Sequence, residues 1–258
     1  MTLDFDALAR RLDDARLEGR EVERLTLEVP DLTLEQAYRI LDAGVVLRER
    51  HGERVVGLKM GLTSEAKRKQ MDLGSPIYGV LTDAMQVRAV FRMAGSLHPK
   101  IEPEIAFHFA RGLQGRPGRD EVLAACTGVC AALEILDSRY RDFKYFSLPD
   151  VVADNASSSH FVLAERWTPA AGLSLGELEL VMSVDGTARQ IAKGSAISGD
   201  PVLSVVQLCE LLDDRGLALP AGSLVLAGAA TVAEPLAAGQ TVELHAGPLP
   251  PVRVRIEA

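Results

Sequence analysis

The residues that most clearly indicate a chemical role are three glutamates in apolar surroundings. Glu102 and Glu104 lie in the run Lys100-Ile-Glu-Pro-Glu-Ile-Ala-Phe-His-Phe, which is typical of a strand, where residues two apart point to the same face. Two carboxylates side by side at the start of a buried strand repel each other and lose hydration unless a cation joins them. A third acid, Glu134, lies in the equally apolar run Ala-Ala-Leu-Glu-Ile-Leu-Asp.

Three oxygen donors without sulfur or imidazole suit a hard ion, Mg²⁺ or Mn²⁺, and leave coordination positions for water or substrate. The other interpretation of the Glu102–Glu104 spacing is an exposed strand edge that carries a solvated glutamate pair. The residues alone are compatible with both interpretations.

Lys59 is the second unusual residue, because it lies in the apolar run Val55–Met60, a predicted strand that is followed by Gly61. A lysine in this place either extends to solvent or sits at the mouth of a site, where it binds an anionic substrate or moves a proton. The polar run Asp154-Asn-Ala-Ser-Ser-Ser is either a turn or helix cap, or a loop that hydrogen-bonds a ligand.

Composition limits the classes of function. With 258 residues, 47% hydrophobic and 25% charged, the chain has room for one or two globular domains. A net charge of −8 and 5% aromatic residues disfavour nucleic acid as a partner. Three cysteines cannot form a disulfide framework.

The charged N-terminal segment lacks a secretion signal, and the longest uncharged stretch, 216–233, is too short and interrupted for a membrane span. We therefore expect a cytoplasmic protein without a membrane partner.

The elements that must position these residues follow from hydrophobic periodicity. Helices are predicted over 4–17, after a capping box formed by Thr33 and Gln36, over 64–71, over 120–136 and over 201–215. The predicted strands span residues 55–60, 77–81, 86–91, 101–110, 161–164, 179–184, 188–191, 224–227, 242–245 and 252–256. We predict an N-terminal α/β portion, residues 1–72, and a β-rich catalytic domain, residues 73–258.

Short motifs in a fixed order connect these elements: Lys59-Met-Gly-Leu-Thr-Ser, Pro76-Ile-Tyr-Gly, Leu81-Thr-Asp-Ala-Met, His98-Pro-Lys-Ile-Glu-Pro-Glu-Ile-Ala, Glu134-Ile-Leu-Asp-Ser-Arg and Val152-Ala-Asp-Asn-Ala-Ser-Ser. Together they resemble the 2-keto-4-pentenoate hydratase / 4-oxalocrotonate decarboxylase family, within the fumarylacetoacetate hydrolase superfamily. The likeness runs from about residue 33 to 235. It implies an α+β fold, a fumarylacetoacetate-hydrolase-like mixed β-roll with interleaved helices behind the smaller N-terminal portion.

The resemblance also implies roles for individual residues. The family's metal carboxylates fall on Glu102, Glu104 and Glu134, with Mg²⁺ as the expected ion and Mn²⁺ as a substitute. Its site lysine falls on Lys59, which we expect to act in catalysis and in substrate binding. Further substrate contacts fall on polar residues of the later motifs: Asp83, Arg139, Asn155 and Ser157.

The two branches of the family share their chemistry. A 2-oxo acid can bind a metal through its carboxylate and keto oxygens, and the enolate that forms is then stabilised. The decarboxylase branch removes CO₂ from 2-oxo-3-hexenedioate during meta-cleavage of aromatic compounds, and the hydratase branch adds water to the product, 2-hydroxypenta-2,4-dienoate. The runs that follow Lys59 and Asp137 resemble the decarboxylase branch more. A dicarboxylate also needs a second cationic anchor, for which Arg139, Arg141 and Lys144 are candidates beside Lys59.

Three other functions stay open as alternatives. The first is the hydratase, and the second is an acylpyruvate-type hydrolase, which would need a His–Glu pair that is not found ahead of Glu102. The third is a non-catalytic partner subunit that stabilises a hydratase. We expect a homo-oligomer that acts on a small dicarboxylate 2-oxo acid, and the resemblance implies that it can form a complex with the hydratase of the same pathway.

Overall fold

The computed structural model describes residues 3–64, 76–143 and 147–258. The α-helices of these residues are α1 (Phe5–Glu18), α2 (Leu34–Arg50), α3 (Arg119–Ala125), α4 (Leu148–Ala153) and α5 (Pro201–Asp213). The strands are β1 (Val55–Gly61), β2 (Ile77–Thr82), β3 (Gln86–Val87), β4 (Val90–Arg92), β5 (Lys100–Phe109), β6 (Cys126–Leu136), β7 (Ser158–Leu163), β8 (Glu179–Val184), β9 (Thr187–Lys193), β10 (Leu224–Leu226), β11 (Glu234–Pro235), β12 (Thr241–Ala246) and β13 (Leu249–Glu257).

The strands form two sheets. The larger sheet has eight strands in the order β2-β1-β10-β5-β6-β7-β3, with β11 paired to β5, and the smaller has five in the order β4-β13-β12-β8-β9. Both sheets are mixed, because β1 runs parallel to β10, β3 to β7 and β4 to β13, while the other pairs are antiparallel. The predicted α+β class is confirmed.

The two sheets enclose the main core. Along β6, Leu133 and Ile135 are fully buried and point to one face, whereas Glu134 between them points to the other. His160 of β7 is directly opposite Ile135, and its ring packs against Phe91 of β4 with 5.0 Å between the ring centroids. The apolar face of the large sheet therefore covers the small sheet, and the face that carries Glu134 points away from it.

The N-terminal segment packs beside this framework. Helix α1 contacts α2, and α2 contacts α4. The predicted capping box at the start of α2 is confirmed, since the Gln36 N–H donates to Thr33 Oγ1 at 3.2 Å and the Thr33 N–H donates to Gln36 Oε1 at 3.0 Å. Strand β1, which precedes residue 72, is hydrogen-bonded to β2 and β10 within the large sheet. The division into 1–72 and 73–258 stays a prediction.

Two predicted elements were wrong, and one falls mostly outside the described residues. The helix predicted over 120–136 ends at Ala125, and the strand β6 follows directly. Periodicity misleads here because β6 is buried on both faces from Gly128 to Leu136, so its sequence loses the alternation of a half-exposed strand. The strand predicted over 86–91 is two short strands that belong to different sheets. Apart from Ser64, the helix predicted over 64–71 lies outside the described residues.

One segment of the described residues, Gly194–Asp213, is long and apolar enough to cross a membrane when only length and composition are considered. Within it, Val202, Val205 and Leu208 of α5 are completely buried in the protein. The segment therefore has the burial of a core helix.

Candidate active site

Three carboxylates meet where β5 and β6 pair. Glu102 is directly opposite Glu134 in the antiparallel register, and Glu104 is opposite Ala132. Because side chains alternate along a strand, all three glutamates project from the same face. One carboxylate oxygen of each lies within 4.8 Å of the others. We call Glu102, Glu104 and Glu134 the glutamate cluster. The structure thus brings together the three residues that the sequence singled out.

Glu104 has one carboxylate oxygen without a partner. Its Oε2 accepts the N–H of Gly228 at 2.8 Å, whereas its Oε1 is buried and has no hydrogen bond to any described residue. Burial, followed by the nearby charges of Glu134 and Glu102, raises the pKa of Glu104 well above its ordinary value. Buried polar atoms are rarely left unpaired. An open oxygen among hard oxygen donors fits a divalent cation such as Mg²⁺.

Lys59 supplies the positive charge beside the glutamate cluster. Its Nζ donates to Glu134 Oε2 at 3.0 Å, and only 2% of the lysine is exposed. Burial disfavours the charged ammonium, but the carboxylates of Glu134, Glu102 and Glu104 outweigh it, so the pKa of Lys59 is raised. Lys59 therefore carries its proton at neutral pH. The strand alternation of β1 turns its apolar neighbours to the opposite face.

Ser158 completes the hydrogen bonding of Glu134. Its hydroxyl donates to Glu134 Oε1 at 2.7 Å, so both oxygens of this carboxylate have a donor. Sequence reasoning missed Ser158 and the backbone N–H of Gly228. The serine run 157–159 was the available signal for Ser158, but a choice among its members needs the register of β7 against β6.

Glu102 is the member of the glutamate cluster that lines a cavity of about 80 Å³. Lys59, Glu102 and Ser157 contribute polar groups to its lining, together with the segment 61–64. Most of the remaining lining is apolar: Ile77, Leu136, Phe143, Val151, Ala156 and Ala229. The site therefore combines a charged end with walls that limit the access of water.

The turn that follows α4 forms one wall of this cavity. Asn155, Ala156 and Ser157 have φ angles of 52°, 51° and 56°, the left-handed region that costs a non-glycine residue roughly 1–3 kcal/mol. The Asn155 side chain fixes the turn to β2, because its Oδ1 accepts the Val80 N–H at 2.7 Å and its Nδ2 donates to the Val80 carbonyl at 2.9 Å. At Gly79, an added Cβ would lie 2.8 Å from the Asn155 carbonyl oxygen.

A buried ion pair holds the start of the same turn. The Arg139 Nε donates to the Asp154 carboxylate, and the Ser138 hydroxyl donates to it at 3.0 Å. Burial raises the pKa of Asp154, and its contacts with Arg139 act in the opposite direction. The guanidinium of Arg139 also donates through Nη1 to the Asp137 carbonyl at 2.7 Å. Arg139 therefore ties the end of β6 to the turn at 154–157.

The structure brings some of the predicted substrate-binding residues to the cavity and leaves others away from it. Lys59 and Ser157 line the cavity, whereas Asp83, Arg139 and Asn155 do not. Asp83 instead accepts the Arg54 N–H at 2.8 Å and Arg54 Nε at 2.9 Å. The predicted substrate contacts of these three residues have no support in the geometry and stay predictions. Lys144 lies outside the described residues.

Comparison with known proteins places this site in a family. The family described as fumarylacetoacetate (FAA) hydrolase C-terminal matches residues 62–257. A 4-oxalocrotonate decarboxylase from Pseudomonas sp is 44% identical over 242 residues, which are 93% of each chain. A 2-hydroxyhexa-2,4-dienoate hydratase from Comamonas testosteroni is 37% identical over 246 residues, 93% of this chain and 92% of the other.

A solved structure shows the same fold over nearly the whole chain. It is 4-oxalocrotonate decarboxylase from Pseudomonas putida G7, complexed with magnesium and adipate, and it superposes with a TM-score of 0.94 at 37% identity over 99% of both chains. The predicted fumarylacetoacetate-hydrolase-like architecture is thereby confirmed. The chain belongs to the fumarylacetoacetate hydrolase family.

Proposed function

We propose that this protein is a metal-dependent 2-oxo-3-hexenedioate decarboxylase, a carboxy-lyase of the meta-cleavage breakdown of aromatic compounds. Its products are CO₂ and 2-hydroxypenta-2,4-dienoate. The observation that carries the proposal is the buried glutamate cluster with Lys59 at its side. The higher identity to a curated decarboxylase, 44% against 37% for the hydratase, favours loss of CO₂ over addition of water.

The proposed metal ligands are Glu102, Glu104 and Glu134, with Mg²⁺ as the ion and Mn²⁺ as a substitute. Their donor atoms are all carboxylate oxygens, and the open Oε1 of Glu104 is the atom that most needs a cation. When bound, the ion supplies a Lewis acid for the carboxylate and keto oxygens of a 2-oxo acid. Ser158 and Lys59 orient Glu134 for this role through their hydrogen bonds.

Lys59 is the proposed catalytic residue. As the bond from C5 to the distal carboxyl carbon breaks, its electron pair moves through the conjugated chain to the C2 oxygen, and CO₂ leaves. The fixed positive charge of Lys59 offsets the negative charge that develops, and in a buried site this attraction is stronger than in water. The apolar walls limit the access of water to the product dienolate.

Hydration of 2-hydroxypenta-2,4-dienoate is the second candidate reaction, and the 37% identical hydratase favours it. The same glutamate cluster and lysine would serve both reactions. As finer parts of the proposal, we expect a cytoplasmic homo-oligomer that can form a complex with the hydratase of its pathway. The intact and buried glutamate cluster disfavours a non-catalytic partner subunit.

Product analysis by NMR tests the proposal. The protein is incubated with 2-oxo-3-hexenedioate in Mg²⁺ and separately in EDTA, and a parallel sample receives 2-hydroxypenta-2,4-dienoate. We expect CO₂ and the dienol in Mg²⁺ alone. Glu104→Gln should lose this activity, and Glu179→Gln, a change on the exposed face of β8, should keep it. Hydration without CO₂ release would make the protein a hydratase, and inactivity in both samples would contradict the proposal.

A further inference from the structure

Lys100 begins β5 and shares a strand face with two members of the glutamate cluster. Because side chains alternate along the strand, Lys100, Glu102 and Glu104 project in the same direction. In the register of β5 with β6, Lys100 is directly opposite Leu136, which lines the cavity. Lys100 is half-buried, so its side chain starts at the rim of the site.

The ammonium group of Lys100 lies against one residue of the cavity wall. Its Nζ is 4.2 Å from the ring centroid of Phe143, and Phe143 lines the cavity. An aromatic face attracts a cation and limits its motion while leaving its other donors open. Within residues 3–64, 76–143 and 147–258, no carboxylate forms an ion pair with Lys100. Its positive charge is thus held beside the cavity wall without an ion-pair partner among these residues, although Lys100 itself is not one of the residues that line the cavity.

The other cations that the structure describes near this end of the molecule already have carboxylate partners. Lys59 is paired with Glu134 at 3.0 Å, and Arg139 is paired with Asp154. Arg141, which the sequence suggested as a second anchor, is exposed and pairs with Glu23 through Nε at 2.8 Å. Of the cations described around the cavity, Lys100 is therefore the one that can accept a new anionic partner without breaking an existing pair.

We propose that Lys100, held against Phe143, is the subsite for the far carboxylate of a dicarboxylate 2-oxo acid. This inference rests on the proposed function, in which the 2-oxo acid end lies at the glutamate cluster. Glu102 is two residues along the strand, so its Cα lies about 6.6 Å from the Cα of Lys100, and the flexible lysine side chain extends the separation that can be spanned. A six-carbon diacid bridges such a separation, whereas a short 2-oxo acid occupies the glutamate end alone.

The reaction limits what this ion pair can do. The far carboxylate leaves as neutral CO₂, and its bonding electron pair stays with the carbon chain. The attraction to Lys100 is therefore present in the bound substrate and is lost as the transition state forms. Such an interaction lowers KM without raising kcat. Lys100 acts in capture and selection of the dianion, and Lys59 acts on the developing charge.

Binding of two stable ligands to the Mg²⁺-loaded protein tests the subsite. The ligands are 2-oxohexanedioate, which lacks the double bond needed for CO₂ loss, and 2-oxohexanoate, which lacks the far carboxylate. Isothermal titration should show that Lys100→Met weakens the diacid about tenfold, as expected for a lost charge-assisted hydrogen bond, and leaves the monoacid unchanged. Lys100→Arg should keep the preference. Lys193→Met, on the exposed strand β9, is the control.

Turnover of 2-oxo-3-hexenedioate provides a second readout. For Lys100→Met we expect a KM about tenfold higher and a kcat that is equal or higher. Equal weakening of both ligands, no weakening of either, or a fall in kcat at unchanged KM would overturn the subsite. If the original protein decarboxylates its substrate and Lys100→Met shows no selective loss, the subsite alone fails. If the original protein binds neither ligand and releases no CO₂, the proposed function fails as well.

Discussion

Replacement of Lys59 by methionine removes the positive charge that lies among three carboxylates. The change keeps a long unbranched side chain in a position where only 2% of the residue is exposed. It leaves Glu134 Oε2 without the donor that lies 3.0 Å away. Glu134 and Glu104 are fully buried, so water cannot readily replace the lost ammonium. The unfolding free energy of the metal-free protein should therefore fall.

The size of the loss follows from the burial of both partners. Removal of one member of a buried ion pair typically costs about 3–5 kcal/mol, because the remaining charge is left uncompensated. We expect a loss in this range at pH 8 in EDTA. The loss should shrink as the pH falls, because Glu104, whose pKa is already raised, can then take up a proton. A bound divalent cation replaces the missing charge, so saturating Mg²⁺ should recover most of the stability.

Urea unfolding in EDTA and in Mg²⁺, followed by circular dichroism, measures both effects. The gain in unfolding free energy on adding Mg²⁺ should be larger for Lys59→Met than for the original protein, because the lysine charge repels a cation at the glutamate cluster. Lys193→Met is the matched control. Lys193 donates to Glu177 Oε2 at 2.7 Å in an exposed pair, and its loss should change neither stability nor the response to Mg²⁺.

Two results would refute this reasoning. If Lys59→Met were as stable as the original protein in EDTA at pH 8, Lys59 would not be the charge that offsets the glutamate cluster. If the variant gained no more from Mg²⁺ than the original protein, the lysine and the cation would not act on the same cluster. Activity of the variant is measured separately, and it should fall even where Mg²⁺ has restored the fold.

Three further predictions concern other positions. Glu104→Gln should leave the unfolding free energy in EDTA unchanged or higher, because a buried and repelled carboxylate is removed. Mg²⁺ binding, measured by titration calorimetry, should weaken at least about tenfold. Unchanged Mg²⁺ affinity would contradict the ligand assignment. Gly228→Ala should lower the unfolding free energy measured in urea by roughly 1–3 kcal/mol, because φ at Gly228 is +105° and an added Cβ would overlap Thr63 Cγ2. An unchanged unfolding free energy would mean that the loop can move. Burial, aided by Arg48 and Arg16, lowers the pKa of His160 to about 4, so the unfolded chain binds this proton near pH 6.5 and the folded chain only near pH 4. The contribution of His160 to the unfolding free energy should be complete above pH 6.5 and fall by up to about 3 kcal/mol as the pH drops to 4. His160→Gln should remove this loss when unfolding is measured at decreasing pH in EDTA.

The sequence predicts much of the glutamate cluster because part of it is local. The spacing of Glu102 and Glu104 on one strand is enough to place both carboxylates on the same face, and the capping box at Thr33 is equally local. Glu134 was selected for its apolar surroundings although its strand was predicted as a helix. Its strand conformation depends on pairing with β5 and β7, which periodicity along one segment cannot reveal.

The rest of the site depends on contacts between distant segments. Arg139 has the charge expected of a substrate anchor, but Asp154, 15 residues later, occupies its guanidinium. Asn155 lies within a motif rich in ligand-binding residue types, yet its amide is used to fix the turn to Val80. Neither outcome follows from residue type. Lys100 was overlooked as an anchor for the opposite reason, because its neighbour in space, Phe143, is far away in sequence.

The opposed positions of Glu102 and Glu134 also bear on how the chain avoids misfolding. A shift of one residue between β5 and β6 would rotate a strand's side chains to the other face, which covers the small sheet through residues such as Ile135 and His160. A carboxylate delivered there would meet an apolar interior without a partner, at a cost of several kcal/mol. Misaligned pairings of these long strands are therefore penalised by the same residues that form the glutamate cluster. Selection for the site and selection for faithful folding act on the same side chains.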